Sequence, residues 1–361
     1  MKIVYLSAVP WLSISQRPHF FAKYALTHAT QELLWIEPYP SRFPTLADLT
    51  PGRHAPEPAG LNLIGGLQLT RLGFVAPVEP IPALFKLLNH GKIKKIIDDI
   101  KNFISEDTIL VIGKPCLLAN MLIKQFKWRQ VWYDAMDDFP SFYSGISKKN
   151  TANLEKKIAL QVDRIFCSSH ALIEKFSSIA PHKTMLVLNA CSDDIQKINL
   201  PEPSNKQVTF GYIGTIASWF DWNWVIELAT KNPEKIINLV GPRKTKTPEN
   251  LPKNIILEPA IPHPRVMEKI STFDYVIIPF LQNDITKYVD PVKFYEYRLA
   301  GKIILSTPFG EMLWHHKDET CNSDTTLDIN IPDNTLVFPS PKKPNDIPRW
   351  SGRFSHVFTG Y

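Results

Sequence analysis

The sequence predicts an α/β protein made of two doubly wound domains facing a cleft. Three observations carry this expectation. Short apolar runs such as Lys2-Ile-Val-Tyr-Leu-Ser7 and Thr108-Ile-Leu-Val-Ile112 alternate with stretches of helical periodicity along most of the chain. The pattern breaks at the polar, proline-bearing Pro201-Glu-Pro-Ser-Asn205 and restarts at Gln207. A chain of 361 residues is also long for a single core. The predicted domains are 1–200 and 201–310, followed by a polar, proline-rich tail, 311–361, without sustained periodicity.

In the first half, Lys2–Ser7 reads as a buried strand, and Arg17-Pro-His-Phe-Phe-Ala-Lys-Tyr-Ala-Leu26 as a helix behind a loop. That loop lacks the glycine fingerprint of dinucleotide sites. Arg17 and His19 follow the carboxyl end of the first strand, where ligands bind in doubly wound folds. A helix-start arginine and a surface histidine explain them equally well. Ile93, Ile96, Ile97, Ile100, Phe103 and Ile104 recur at helical spacing, with Lys92, Lys94, Lys95 and Lys101 on other faces. Such a stripe packs on its own sheet more often than on lipid. The preceding Ile81-Pro-Ala-Leu-Phe-Lys-Leu-Leu88 keeps peripheral membrane contact open. Gln130-Val-Trp-Tyr-Asp-Ala-Met-Asp-Asp-Phe-Pro140 is a strand running into three acids, Asp134, Asp137 and Asp138. Taking a proton from a substrate hydroxyl needs a carboxylate or histidine, and Asp137 or Asp138 fits that role. At least one of the three is expected only to cap the following segment. Further strands are expected at Asp163–His170 and Thr184–Ala190, with helices at Asn153–Gln161 and Ala171–Phe176.

The second half opens with the strand Gln207–Thr215, whose Gly214 lets the backbone approach a ligand, with Thr215 beside it. Lys235–Arg243 is a strand ending in a glycine turn, and Arg243 can reach a phosphate from there. Asn254–Leu257 and Tyr275–Ile278 follow, then the loop Asn283–Lys287, which brings Thr286 and Lys287 to the start of the next helix. That helix is expected to use Asp290 as its N-cap and Pro291 as its first residue, and to end at Gly301 before the strand Lys302–Ser306. Lys293 and Glu296, three apart, share one of its faces. A cation beside the free amides of a helix start suits a diphosphate, and a carboxylate one turn on suits ribose hydroxyls. A solvated Lys–Glu pair fits the same spacing.

Composition limits the partners. Hydrophobic residues make up 44% and charged residues 21%, so the chain is ordinary globular material. A net charge of +6 suits an anionic nucleotide or a lipid surface, and no nucleic-acid partner is expected. The four cysteines, Cys116, Cys167, Cys191 and Cys321, show no metal-site spacing, so buried thiols in a reducing compartment are expected, and no metal. The apolar start, Ile3–Leu12, is broken by Pro10 and lacks a cleavage site, and no apolar run reaches about twenty residues. A cytoplasmic location follows as the expectation.

The Pro291-x-Lys293-x-x-Glu296-Tyr297-x-x-Ala300-Gly301-Lys302 pattern resembles the nucleotide-sugar helix of GT-B glycosyltransferases, nearest to bacterial enzymes of teichuronic-acid, capsule and exopolysaccharide assembly. The Asp134-x-x-Asp137-Asp138-Phe139 run, Gly214-Thr215 and Asp221-Trp222 also look like that group. The resemblance extends from Met1 to about Phe309 and fails beyond Gly310. It implies two Rossmann-like domains, with a nucleotide sugar, UDP- or GDP-linked, as co-substrate and no cofactor. The implied acceptor is a glycan or lipid-linked glycan. Glu296 matches the ribose-binding glutamate, whereas Tyr288 stands where many retaining members carry a second glutamate. Donor contacts are expected from Gly214, Thr215, Arg243, Thr286, Lys287, Lys293 and Glu296. Arg17, His19 and Asp134 are expected on the acceptor side. A nucleotide-sugar epimerase of the same fold and a catalytically silent subunit are the rival readings, the second favoured by the unusual tail.

Overall fold

A computed structural model describes residues 1–44, 64–195, 209–319, 327–342 and 346–359. The predicted boundary at Pro201–Asn205 and the thiol of Cys321 lie outside these residues. The chain divides into two compact units, Met1–Val187 with Phe354–Tyr361, and Leu188–Arg353.

The first unit carries a seven-stranded sheet in the order β3-β2-β1-β4-β5-β6-β7, parallel throughout. Its elements run β1 (Lys2–Leu6), α1 (Arg17–His28), β2 (Glu32–Ile36), β3 (Leu67–Thr70), α2 (Pro82–Leu88), α3 (His90–Phe103), β4 (Thr108–Ile112), α4 (Leu117–Gln125), β5 (Gln130–Ala135), α5 (Gly145–Gln161), β6 (Arg164–Cys167), α6 (His170–Ser177) and β7 (Thr184–Leu186). The central strands are apolar at consecutive positions because helices cover both faces of a parallel sheet. Every residue of β4 is buried. The stripe Ile93, Ile96, Ile100 and Phe103 on α3 is buried too, so that helix packs on its own unit. Helix α5 begins at Gly145, earlier than its apolar spacing suggests.

The second unit repeats the plan. Its elements are β8 (Thr209–Ile213), α7 (Trp222–Lys231), β9 (Ile236–Val240), β10 (Ile255–Glu258), α8 (Val266–Ser271), β11 (Tyr275–Ile278), α9 (Val292–Leu299), β12 (Ile303–Ser306), α10 (Met312–Glu319) and β13 (Leu336–Phe338); the last helix, α11 (Trp350–Phe358), begins among its residues and ends among those of the first unit. The sheet order is β10-β9-β8-β11-β12-β13, with only β13 antiparallel. Strand order reverses between β8 and β11, and in open α/β sheets the crevice beyond such a reversal receives the ligand.

The tail departs from expectation. It shows no sustained periodicity in sequence, yet its described residues after Gly310 form α10, an antiparallel edge strand and α11. In α11, Trp350, Phe354 and Phe358 recur every four residues, and Trp350, Phe354 and Val357 are fully buried. Within the first unit, Phe354 and Phe358 meet the ring of Phe21 at 5.3 and 5.4 Å, and Phe358 meets Trp132 at 5.5 Å.

Candidate functional site

The carboxyl edge of the second sheet brings Gly214 beside Lys293, with Glu296 near that ammonium. Strand β8 runs into Gly214, whose φ of +151° favours glycine, and the neighbouring β9 runs into Gly241, φ +146°. A Cβ on Gly241 would stand 2.1 Å from the Gly214 carbonyl oxygen, so the two turns pack backbone against backbone. The Gly214 amide donates to Val240 O at 2.9 Å, and Tyr212 Oη donates to Thr215 O at 2.9 Å. Helix α9 is fastened to the same edge, since the Ile213 amide donates to Tyr297 Oη at 3.0 Å.

Lys293 lies in the first turn of α9, where the leading amides have no intrahelical partner. Its ammonium sits 5.0 Å from the ring centre of Tyr212 and 4.9 Å from that of Phe280. A Cβ on Gly214 would be 3.1 Å from its Nζ. Among the described residues it has no ion-pair partner, Glu296 included, so the simple surface pair is not what forms. Burial pulls the ammonium down to about 8, against the nearby Glu296 charge. Burial likewise pushes the Glu296 carboxyl up, opposed by His263 and then Lys293. His263, just after β10, is a neighbour that the spacing of the sequence did not reveal.

The start of α9 needs correction. Pro291 is the N-cap and Val292 the first helical residue, and no side chain caps the helix. Asp290 is buried and works elsewhere: it accepts from the Asn189 amide at 2.7 Å and Tyr295 Oη at 2.8 Å, and lies 3.0 Å from His315 Nε2. Gly301, φ +68°, follows the C-cap Ala300 as expected. A cavity of about 580 Å³ lies on the face of α9 bearing Phe294, Tyr295 and Arg298, away from Lys293 and Glu296.

The remaining donor candidates are less direct. The Thr286 hydroxyl is buried, donating to Leu281 O and accepting from the Asn283 amide, so it shapes its own loop. Lys287 is exposed, with its ammonium over the Tyr288 ring. Arg243 is exposed on a turn tied by its backbone to Ile216. Thr215 is half-buried beside Gly214.

In the first unit the acids separate. Asp134 is buried, accepting from Arg17 Nε at 2.7 Å and Tyr5 Oη at 2.9 Å. Arg17 also donates to Val187 O and faces the Phe354 ring. His19 is buried, its Nδ1 accepting from the Gln16 amide while Nε2 lies 3.1 Å from Pro10 O and Trp11 O. Burial lowers its pKa. Arg17, His19 and Asp134 are thus held in internal contacts. Asp138 is also engaged, in an ion pair with Lys175 and a hydrogen bond from Ser141. Lys175 reaches Glu155 as well, and Tyr133 Oη donates to Glu155 at 2.9 Å. Asp137 alone of the three accepts no hydrogen bond among the described residues. Burial pushes its carboxyl up to about 7, with Arg17 opposing and Asp138 and Asp134 adding to the rise.

No family model matches the chain. It is 28% identical over 211 residues to TuaH of Bacillus subtilis (strain 168), named for glycosyl transfer in teichuronic acid biosynthesis. That match spans 52% of this chain, and the chain spans about half the length of that relative, 52%. Among solved structures, WaaG, a glycosyltransferase involved in lipopolysaccharide biosynthesis, aligns with a TM-score of 0.60 at 12% identity, covering 91% of this chain and 87% of its own. Sucrose-phosphate synthase from Thermosynechococcus elongatus gives 0.60 at 12%, over 88% and 84%. HepE from Anabaena, in complex with UDP, gives 0.53 at 16%, over 87% and 82%. Two mainly parallel α/β sheets, each reversing its strand order, together with these alignments, make the fold of this chain GT-B.

Proposed function

We propose that the protein is a glycosyltransferase that moves a sugar from a nucleotide-sugar donor to a cell-surface polysaccharide or a lipid-linked oligosaccharide. Lys293 carries the reading. An ammonium in no ion pair among the described residues, placed among two glycine turns and the open end of a helix, is a receptor for an anion. A nucleoside diphosphate supplies that anion, and Glu296 is one turn further along for the ribose hydroxyls. Backbone groups at Gly214 and Thr215 approach the donor closely, and Arg243 adds charge at the rim. HepE, similar in fold, is in complex with UDP, which supports UDP as the first nucleotide to test. The likeness to TuaH supports an acceptor in surface-polysaccharide assembly.

Asp137 is the base in this reading. Its carboxylate takes the proton of the acceptor hydroxyl as that oxygen bonds to the anomeric carbon. The bond from that carbon to the diphosphate breaks, and the nucleotide leaves with the electron pair. Lys293 and the α9 amides stabilise the charge that develops there. The nucleotide sugar is a co-substrate, and no resident cofactor takes part. The protein works in the cytoplasm, peripheral to the membrane that holds the lipid-linked acceptor.

Calorimetry with UDP and GDP, and melting in a panel of their sugars, tests the donor site. Glu296→Ala should weaken nucleotide binding by about 1.5–3 kcal/mol, the range for hydrogen bonds to a charged group. Unchanged affinity in a folded variant would remove Glu296 from the site.

A further inference from the structure

We propose that α2 and the segment leading into it form the surface by which this protein sits on an anionic lipid bilayer. The proposal deepens the peripheral location given above and rests on that reading, not on the donor site. Helix α2 presents Leu84, Leu87 and Leu88 at i, i+3 and i+4, and Ile81 lies three residues before Leu84, so the four form one stripe. Three of the four are exposed, in contrast with the stripe of α3: Leu87 is 73% exposed, Leu88 55% and Ile81 46%, while Leu84 is half-buried. Phe85, on the neighbouring face, is the residue that anchors the helix, buried 5.5 Å from the Tyr39 ring.

The loop before α2 adds Phe74, 78% exposed, with the Lys92 ammonium 5.2 Å from its ring centre. Asn89 holds this arrangement together. At the junction of α2 and α3 it accepts from the Ala76 amide at 2.9 Å and donates to Phe85 O at 3.0 Å. The same stretch carries exposed Arg71, Lys86, Lys94 and Lys95, with Lys92 half-buried. Of the acids in this stretch, Glu79 is buried, Asp99 accepts from Thr70, and Asp98 is exposed. An exposed apolar stripe in a stretch with four exposed cations matches an acyl boundary under anionic headgroups. No helix among the described residues is long and apolar enough to cross a membrane.

Co-sedimentation of the full chain with vesicles of phosphatidylglycerol and of phosphatidylcholine tests the proposal. Binding is expected to the anionic vesicles only, falling as salt is raised. Leu87→Gln/Leu88→Gln and Lys94→Glu/Lys95→Glu should each weaken it by about tenfold or more. Both pairs lie on the surface, and a thermal melt checks that each variant folds. If the chain binds the vesicles and both variants bind equally well, α2 is not the contact, while the peripheral location stands. If the chain binds no vesicle, both readings fall. A self-association that Leu87→Gln/Leu88→Gln abolishes, without vesicle binding, would assign the stripe to a second copy and overturn the proposal.

Discussion

Asp137 and Asp138 are neighbours in sequence with opposite circumstances. The sequence shows that two adjacent side chains diverge, but not which one meets Lys175, because that lysine lies on a distant helix. Their tests separate accordingly. Asp137→Asn should lower turnover by on the order of 10²–10⁴, the usual contribution of a general base. It should also remove the rise of kcat/KM with pH through about 7, where the free carboxyl ionises. Stability moves the other way. With its folded pKa raised, this carboxyl is best tolerated below about 4, and that contribution is lost as pH climbs through about 7. At pH 8, Asp137→Asn should therefore unfold later in urea, by about 1–2 kcal/mol once its partial exposure is discounted. Asp138→Asn should destabilise by breaking the Lys175 contacts and leave the pH limb in place. A pH profile unchanged by Asp137→Asn would mean that another group is the base.

At the scale of elements, most boundaries were legible because parallel strands and their crossover helices write themselves in apolar runs. Strand β4 and strand β11 match their sequence spans residue for residue. The start of α9 was not legible. Asp290 is a good capping residue locally, but Asn189, Tyr295 and His315 converge on it in the folded unit and draw its carboxylate away. Removing it strands several buried donors, so Asp290→Ala should cost about 2–4 kcal/mol in urea unfolding. A loss below about 0.5 kcal/mol would show that this cluster does not hold the helix. Helix α11 was missed for a different reason. Trp350-Ser-Gly-Arg-Phe-Ser-His-Val-Phe358 has a glycine and two serines, so its helical propensity is poor. The four-residue recurrence of Trp350, Phe354 and Phe358 was the available signal, and packing on that face overrides propensity.

For the whole molecule, two α/β units followed from strand–helix alternation, and the GT-B fold from the resemblance carried by the α9 pattern. The make-up of the first unit did not, since it takes in residues 354–361 from beyond the second unit. An unusual tail was reason to consider a silent subunit, and an ordered α11 removes that reason. Cutting the chain before Phe354 should uncover Phe21 and Trp132. The shortened protein should melt several degrees lower and bind a hydrophobic dye. An unchanged melt without dye binding would mean that these rings are covered without α11.

The same arrangement has a consequence for synthesis. A ribosome making this chain completes every strand of the first sheet before it begins the second unit. The rings that cover Phe21 and Trp132 arrive only after all of residues 188–353, a delay of roughly 10–30 s at bacterial elongation rates of about 5–20 residues per second. Through that interval the nascent first unit presents an aromatic face at the place α11 will fill. A hydrophobic-binding chaperone meeting the emerging chain would have that face to hold until translation delivers its cover.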